Sequence, residues 1–176
     1  GSLNIKRSHL DEQADTYLPI NKSAAHVAVE LELRELKFSG DRRNETIWIG
    51  FTSDRDRPKV AASVVLSRKL NGDIVLQGEA PGGGTVVPIT TISRNNELGH
   101  PLILRLEIYT SKGTYRILSK SVGDSNFQNH GAGKIASSRP ARFLRLSAEG
   151  NFTDTDEVAK IESLQVNWKS SENRSK

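Results

Sequence analysis

Hydrophobic and polar residues alternate with a period of two along much of this chain, most clearly between residues 101 and 120. Apolar residues occupy every second position at Leu102, Leu104, Leu106 and Ile108, with Ile103, Arg105, Glu107 and Tyr109 between them. This alternation is typical of a strand with one buried face and one face toward solvent. Residues 110–113 read Thr-Ser-Lys-Gly, which is turn chemistry, and residues 114–118 run back as a second strand. The stretch therefore predicts a β-hairpin whose apolar face needs a second layer to cover it.

Similar alternation predicts strands nearer the N-terminus. Residues 27–33 alternate strictly, and the parity slips by one position at Arg34-Glu35, which indicates a β-bulge. Residues 46–51 form another predicted strand, with Trp48 on the face opposite the inward residues Ile47, Ile49 and Phe51. Two further runs, 60–66 and 73–77, flank Asn71-Gly72, and this dipeptide predicts a second hairpin.

Weaker patterns complete the predicted elements. We expect a short edge strand at 3–8, an edge strand at 85–92 because it contains Pro88, a strand at 142–147 with Leu144 and Leu146 inward, and a last strand at 157–168. The segments predicted as loops or flexible connections are 39–44, 52–58, 81–84 and 122–140. No stretch shows sustained helical periodicity. About ten short strands separated by turn residues predict an all-β fold, a two-sheet antiparallel β-sandwich.

Length and composition limit the class of protein. The 176 residues are expected to form a single domain over 3–168, with a cloning remnant at 1–2 and a polar tail at 169–176. Cysteine is absent, which excludes a disulfide scaffold, a thiolate metal site and a cysteine nucleophile. The net charge is +4, but basic residues are spread through the chain and aromatic residues make up only 6% of it. We therefore expect no nucleic-acid partner, and no apolar run is long enough to span a membrane.

Two stretches resemble the concanavalin A-like jelly rolls, the lectin and glucanase sandwiches that include laminin-G-type domains. The first is the hairpin over 102–117, in which a strand containing LRLEI turns into GTYRI. The second is the pair of closing runs over 142–150 and 158–166, the last of which is expected to lie beside the N-terminal strand. The resemblance implies two curved antiparallel sheets, and many members of this family bind glycans on the concave face or at loop ends.

One acidic pattern suggests catalysis. The run Glu30-x-Glu32-x-x-Glu35 resembles the E-x-D-x-x-E signature of retaining β-glucanases, in which the first acid is the nucleophile, the second assists and the last is the acid/base. The middle residue differs from that signature. The alternative is a solvated strand face on which Glu30, Glu32 and Arg34 form ion pairs, with Arg105 or Arg145 as cross-strand partners.

A binding site is predicted from the outward residues of the central strands: Trp48, Arg105, Glu107, Tyr109 and Arg145. An exposed tryptophan and tyrosine among charged side chains can stack on a sugar ring and bind its hydroxyl groups. The alternative is that another segment covers Trp48 and makes it part of a second, minor core.

Metal and cofactor signals are weak. Asp154, Asp156 and Glu157 supply oxygen ligands of the kind that calcium prefers, but they lack the spacing of a calcium loop, and a solvated acidic turn is the simpler interpretation. The four histidines, His9, His26, His100 and His130, are scattered, so we expect no zinc site and no cofactor.

The sequence thus favours a non-catalytic module that binds a carbohydrate or a neighbouring protein domain. We expect it to belong to a larger secreted or surface-associated bacterial protein, in an extracellular, periplasmic or cell-surface location. Two alternatives stay open: a glycan-cleaving enzyme that uses Glu30 and Glu35, and a purely structural spacer or docking domain.

Overall fold

The computed structural model describes residues 3–6, 14–20, 24–36, 46–56, 59–80, 87–94, 98–135, 140–149 and 157–170. Twelve β-strands lie in this part of the chain: β1 (Leu3–Lys6), β2 (Ala14–Pro19), β3 (Ala24–Leu36), β4 (Thr46–Thr52), β5 (Val60–Arg68), β6 (Ile74–Glu79), β7 (Val87–Ser93), β8 (Leu102–Tyr109), β9 (Thr114–Ser121), β10 (Gln128–Lys134), β11 (Phe143–Glu149) and β12 (Glu157–Ser170). Within these ranges no helix is long and apolar enough to cross a bilayer.

The strands form two six-stranded sheets. Sheet A has the order β1-β12-β3-β8-β9-β10, and sheet B has the order β2-β11-β4-β5-β6-β7. The paired neighbours in both sheets are antiparallel. The predicted all-β, two-sheet antiparallel sandwich is therefore confirmed, with twelve strands where the sequence indicated about ten.

The hydrophobic core is built from the residues that the alternation places inward. Sheet A contributes buried residues from β3, β8 and β9, namely Val27, Val29, Leu31, Leu33, Leu104, Leu106, Ile108, Tyr115 and Ile117. Sheet B contributes Ile47, Ile49, Phe51, Val64, Leu66, Leu144 and Leu146, among others. Because successive side chains of a strand point to opposite faces, the residues between these positions lie on the outer face of each sheet.

The predicted bulge in β3 lies at Arg34. In the pairing of β3 with β12, Leu33 is opposite Ile161 and Glu35 is opposite Lys160, so Arg34 is the extra residue. Leu33 and Leu36 are both buried although they are three positions apart. The bulge thus restores the inward direction of Leu36 after the slip in parity.

Both predicted hairpins are present, and each turn contains a glycine with positive φ. Gly72 has φ 85° between β5 and β6, and Gly113 has φ 59° between β8 and β9. Pro88 lies in β7, which is an edge strand of sheet B as predicted, and β12 lies between β1 and β3. An edge position suits proline because its missing N–H is not needed for a ladder bond.

Three elements differ from the prediction: β10, β2 and the C-terminal end of β12. Residues 122–140 were expected to form a loop, but β10 occupies Gln128–Lys134 and pairs with β9. Strand β10 lies at the edge of sheet A and contributes no large apolar side chains to the core, so its sequence lacks apolar alternation. At Gly133 a side chain is excluded, because a Cβ there would overlap the ring of Tyr115. The sequence pattern also does not predict β2, and β12 continues to Ser170, two residues into the expected polar tail.

Some predictions fall outside the described residues. These are the loop at 39–44, the flexible connection at 81–84, the cloning remnant at 1–2 and residues 171–176 of the tail.

Candidate functional site

The five predicted binding residues lie on two different sheets. Trp48 and Arg145 are on the outer face of sheet B, in the paired strands β4 and β11. They are diagonal neighbours, since Arg145 lies opposite Gly50. Arg105, Glu107 and Tyr109 are on the outer face of sheet A, in β8. All five point away from the core as predicted, but they form two separate clusters because the two outer faces are on opposite sides of the sandwich.

The cluster on sheet B is buried. Trp48 is 8% exposed and Arg145 is 9% exposed, and the Arg145 guanidinium carbon lies 5.0 Å from the indole ring centroid. Ser63 and Ser147, on the same face, are also fully buried. Trp48 is therefore covered, in agreement with the alternative of a second, minor core, and the expected exposed stacking platform is not observed.

The cluster on sheet A surrounds the carboxylate of Glu107, which is only 3% exposed. Tyr109 Oη donates a hydrogen bond of 2.7 Å to Glu107 Oε2, and Arg116 Nε donates to the same oxygen. Arg105 Nη1 lies 3.7 Å from Oε1, and His26 Nε2 lies 3.8 Å from Oε2. Four side chains from β3, β8 and β9 thus share one buried carboxylate.

This arrangement keeps Glu107 ionised. Burial opposes the charged form, but the hydrogen bonds from Arg116 and Tyr109 and the nearby positive charges outweigh burial and lower the pKa of Glu107. The same contacts act on the partners: burial and the carboxylate raise the pKa of Tyr109, and the hydrogen bond to Glu107 raises the pKa of Arg116. The network is therefore a fully ionised ion pair with a neutral phenol as second donor.

The aromatic rings of this face are already in contact with protein side chains. The ring of Tyr109 stacks on His26 with centroids 4.5 Å apart, and the Arg116 guanidinium carbon lies 5.5 Å from the Tyr109 centroid. The Arg105 guanidinium carbon lies 3.9 Å from the ring centroid of Phe127, and Lys120 Nζ lies 4.9 Å from the same centroid. The binding role of Arg105, Glu107 and Tyr109 stays a prediction, and these rings are not open platforms.

The acidic run on β3 is part of the same outer face. Arg105 Nη2 donates a hydrogen bond to Glu30 Oε1, and Arg34 Nη2 lies 3.0 Å from Glu32 Oε1. The bulge leaves Glu35 exposed, between buried Leu33 and Leu36. These pairs match the alternative of a charged strand face, with Arg105 and not Arg145 as the cross-strand partner of Glu30. The enzyme hypothesis itself stays untested.

The calcium candidates lie at the start of β12 and in the segment before it. Asp154 and Asp156 lie outside the described residues, and only the backbone of Glu157 is described, at the start of β12. Among the residues whose side chains are described, no group of three or more His, Asp or Glu residues is close enough to hold a metal ion.

A polar cavity of about 240 Å³ lies between the sheets, at the edge where β10 and β7 contact one another. Strand β10 is an edge of sheet A and β7 is an edge of sheet B. The lining residues mostly carry hydroxyl, amide or charged groups: Thr91, Ile92, Leu102, Ser119, Lys120, Ser121, Asp124, Asn126, Gln128 and His130. None of them was predicted as a site residue.

A serine and a histidine meet in this cavity. Ser119 Oγ and His130 Nε2 are 2.6 Å apart, and His130 Nδ1 is buried with no hydrogen-bond partner in the described structure. Orphaned buried N–H groups are rarer than unsatisfied acceptors, which favours the tautomer with the proton on Nε2. Nε2–H then donates to Ser119 Oγ, and the serine hydroxyl proton is free to donate to another group. Burial lowers the pKa of His130, so the ring is neutral at neutral pH.

The sequence contains a signal for this cavity that the alternation argument did not use. The inward positions of β9 are Tyr115, Ile117, Ser119 and Ser121, so two polar residues follow two core residues on the same face. A polar residue at an inward position needs a hydrogen-bond partner, a water or a ligand. His130 was not recognised as that partner because β10 lies in a segment that was predicted to be a loop.

A second recess, of about 400 Å³, lies beside the β4–β5 loop and the start of β11. Its charged lining residues Asp54, Arg55, Asp56 and Arg142 are exposed, and Asp54 Oδ1 already accepts the backbone N–H of Asp56. The recess is therefore an open charged loop surface with no buried polar pair.

No protein-family model matches the chain, and no curated protein matches it in sequence. Solved structures do match. The VIP36 exoplasmic/lumenal domain in a Ca²⁺- and mannose-bound form superimposes with a TM-score of 0.65 at 11% identity, over 98% of this chain and 80% of that one. A legume lectin-like domain from Entamoeba histolytica gives 0.58 at 9% identity, over 96% and 84% of the two chains.

Sheep galectin-11 in complex with glycerol gives a TM-score of 0.51 at 10% identity, over 90% of this chain and all of that chain. At these identities the likeness concerns the fold. The two antiparallel sheets and these neighbours agree with the resemblance seen in the closing strands and the central hairpin. The chain therefore has the concanavalin A-like jelly-roll sandwich fold.

Proposed function

We propose that this protein is a non-catalytic glycan-binding module and that a sugar binds in the Ser119 cavity, the recess between β7, β9 and β10. The observation that carries the proposal is the lining of this recess, in which serine hydroxyls, the side-chain amides of Asn126 and Gln128 and the His130 ring surround one space. A sugar hydroxyl both donates and accepts hydrogen bonds, and this lining offers both kinds of group.

The size of the cavity limits the ligand. Its volume of about 240 Å³ is below the range of pockets for drug-sized molecules, about 300 to 1,000 Å³. One sugar ring at the end of a chain suits this space better than a run of several rings. The apolar contribution comes from Leu102 and Ile92, which border the polar lining and can contact the C–H face of a ring.

The geometry favours binding over catalysis at this place. A serine nucleophile needs a histidine that accepts its proton and a third group that orients the histidine. Here the favoured tautomer of His130 donates to Ser119, and its Nδ1 atom has no orienting partner in the described structure. The Ser119 hydroxyl is thus arranged as a hydrogen-bond donor for a ligand, and not as a nucleophile.

The fold neighbours support the ligand class. The VIP36 domain was solved with mannose, galectin-11 with glycerol, and a third neighbour is a legume lectin-like domain. Several sandwiches of this architecture are therefore lectins or bind polyhydroxylated molecules. We further propose that this chain acts as one module of a larger secreted or cell-surface protein, because glycan targets are abundant there.

The test is a glycan-array screen of the wild type and two variants, repeated with EDTA. We expect reproducible hits that fall at least 10-fold in Ser119→Ala, while the matched variant Ser67→Ala on the outer face of sheet B retains them. Thermal unfolding of each variant shows whether the protein is still folded. A blank array, or hits that Ser119→Ala leaves unchanged, contradicts the proposal. Loss of the hits with EDTA assigns the binding to a metal site instead, with Asp154 and Asp156 as the candidates.

A further inference from the structure

Sheet A carries a concentration of positive charge on the outer face of β8, β9 and β10. Between residues 102 and 135 the chain has five basic residues, Arg105, Lys112, Arg116, Lys120 and Lys134, and two acidic residues, Glu107 and Asp124. We call these five residues the basic stripe. Residues directly opposite one another in paired strands have their side chains on the same face of the sheet. Arg116 is opposite Glu107 and Lys120 is opposite Ile103, so both share the outer face of β8 with Arg105. Lys134 is opposite Thr114, which lies on the same face of β9.

Lys112, in the β8–β9 turn, extends the stripe at one end. Its Nζ atom lies 5.8 Å from the ring centroid of Tyr109, which is on the same outer face. The turn is exposed, as is the side chain of Lys134 on the edge strand β10. In the described part of the chain, no carboxylate pairs with Lys112, Lys120 or Lys134.

The acidic residues of this half of the sheet do not neutralise the stripe. Glu107 is buried beneath Arg116, whose side chain is 41% exposed, so the positive partner of this pair is the one that faces solvent. Arg105 is paired with Glu30 of β3 and is the least available member. Asp124 is exposed and lines the Ser119 cavity, and Lys120 Nζ donates a hydrogen bond to its backbone oxygen, so one negative charge lies at the cavity end of the stripe. Glu35 on β3 is exposed, and Glu162 on β12 is half-buried with its Oε2 atom 3.8 Å from Arg34 Nε.

The basic stripe is continuous with the Ser119 cavity. Lys120 lines the cavity. Its Nζ atom also lies 4.9 Å from the ring centroid of Phe127, so Lys120 connects the cavity to the outer face. Arg116 lies four residues before Lys120 on the same face of β9, which places the two residues about 13 Å apart at the usual rise of a strand. Lys112 lies in the turn beyond it. A chain that leaves the cavity past Lys120 meets positive charges at intervals along β9.

We propose that the ligand is an acidic glycan, with uronic acid carboxylates or sulfate groups, whose terminal sugar enters the Ser119 cavity while its acidic units contact the basic stripe. This inference rests on the proposed glycan-binding function and adds the charge of the ligand. The stripe is partly exposed to water, so each contact adds a modest factor, about two- to fivefold in affinity, and several contacts together set the preference.

The experiment compares acidic with neutral oligosaccharides, and the first pair of ligands differs only in the esterification of its carboxylates. Oligogalacturonate and its methyl ester, of the same length, are titrated into the wild type, as are heparin-derived and neutral cello-oligosaccharides. The stripe variant is Lys112→Glu with Lys134→Glu. The matched control is Lys59→Glu with Lys69→Glu, two exposed lysines near the loops of sheet B that change the net charge by the same amount.

We expect at least one acidic oligosaccharide to bind at least 10-fold more tightly than the neutral ligands, and the stripe variant to lose this difference while the control keeps it. Raising the salt concentration from 0.05 to 0.5 M is expected to lower the affinity for acidic ligands but not the affinity for neutral ones. Equal binding of acidic and neutral ligands, with loss of both in Ser119→Ala, overturns the inference and leaves the proposed function intact. An equally tight complex with polyglutamate or duplex DNA also overturns it, because the stripe is then a general polyanion surface.

Discussion

The indole ring of Trp48 lies over Gly50, two residues further along β4, in the space that a side chain at position 50 would occupy. A Cβ atom built on Gly50 lies 2.5 Å from Trp48 Cη2 and 2.6 Å from Ser63 Cβ. The missing side chain of Gly50 therefore lets Trp48 lie flat along the outer face of sheet B, where Arg145 stacks on it. This explains how an outward tryptophan comes to be buried.

We predict that Gly50→Ala destabilises the protein by about 1 to 3 kcal/mol, because the new methyl group forces the indole ring or the backbone to shift. Urea unfolding measures this as a lower midpoint with an unchanged slope. Gly99→Ala is the matched control, since a Cβ there meets nothing within 4 Å. In a Trp48→Ala background only the part of the Gly50→Ala penalty that comes from the indole ring should disappear, because the new Cβ still lies 2.6 Å from Ser63 Cβ. Strictly additive losses in the double variant contradict the contact between Trp48 and position 50.

Glu107→Gln is expected to destabilise the protein by about 2 kcal/mol. The substitution keeps the shape but removes the charge that Arg116 binds, and a hydrogen bond to a charged group is worth about 1.5 to 3 kcal/mol. Equilibrium unfolding in urea gives the value. Glu30→Gln provides the comparison, because the side chain of Glu30 is 24% exposed against 4% for Glu107, and a more solvated carboxylate gives an ion pair that contributes about 0 to 1 kcal/mol. Equal losses in the two variants would show that Glu107 is not the centre of the network.

The acid limb of the stability curve is predicted to depend on Glu107. The pKa of Glu107 is lowered in the folded state, so the unfolded chain binds the proton at higher pH. Its stabilising effect is complete above the unfolded value of 4.5 and is lost as the pH falls through the lower folded value. Unfolding free energies measured from pH 6 to 3 should fall less steeply in Glu107→Gln than in the wild type. Parallel curves contradict this assignment.

His130 is predicted to change the folding stability at a higher pH than Glu107, just below the ordinary histidine pKa of 6.5. Burial lowers its pKa below the ordinary value of 6.5, so the unfolded state takes up a proton first when the pH falls. The contribution of His130 to folded stability is therefore complete above the unfolded pKa of 6.5 and decreases as the pH drops from 6.5 toward the lower folded pKa. An NMR titration of the His130 ring protons gives the folded pKa directly. A value above 6.5, or a stability curve that His130→Gln does not flatten, refutes the prediction.

The Ser119–His130 contact also makes a prediction about tautomers. In the neutral ring the proton is expected on Nε2, where it can donate to Ser119 Oγ, because Nδ1 is buried with no partner in the described structure. Nitrogen-15 chemical shifts of the imidazole ring distinguish the two tautomers. A proton on Nδ1 would restore Nε2 as a base for the serine and would reopen the catalytic interpretation.

Much of the fold could be read from the sequence because period-two alternation reports burial directly. Strands with one face in the core, such as β3, β8 and β11, follow this rule, and the slip at Arg34 even locates the bulge. Strand β10 does not follow it, because an edge strand can be held by backbone bonds to β9 alone and uses Gly133 where Tyr115 needs space. Local pattern carries no information about that pairing.

The candidate site was harder to predict for a related reason. Alternation shows that Trp48, Arg105 and Glu107 are outward, but not which sheet each belongs to or what covers it. The cavity depends on His130 lying beside Ser119, eleven residues earlier in the chain, and this contact exists only once β10 has paired with β9. Long-range pairing decides both outcomes, so residue type and spacing alone do not reveal them.

The central claim, that a sugar binds in the Ser119 cavity, is tested most directly by mapping backbone amide shifts during titration with a glycan that binds on the array. The account predicts saturable shifts concentrated at Ser119, Ser121, Gln128 and His130, which are lost in Ser119→Ala and kept in Ser67→Ala. Saturable shifts concentrated around Trp48 and Arg145, with the cavity residues unchanged, would contradict it and return the site to the outer face of sheet B.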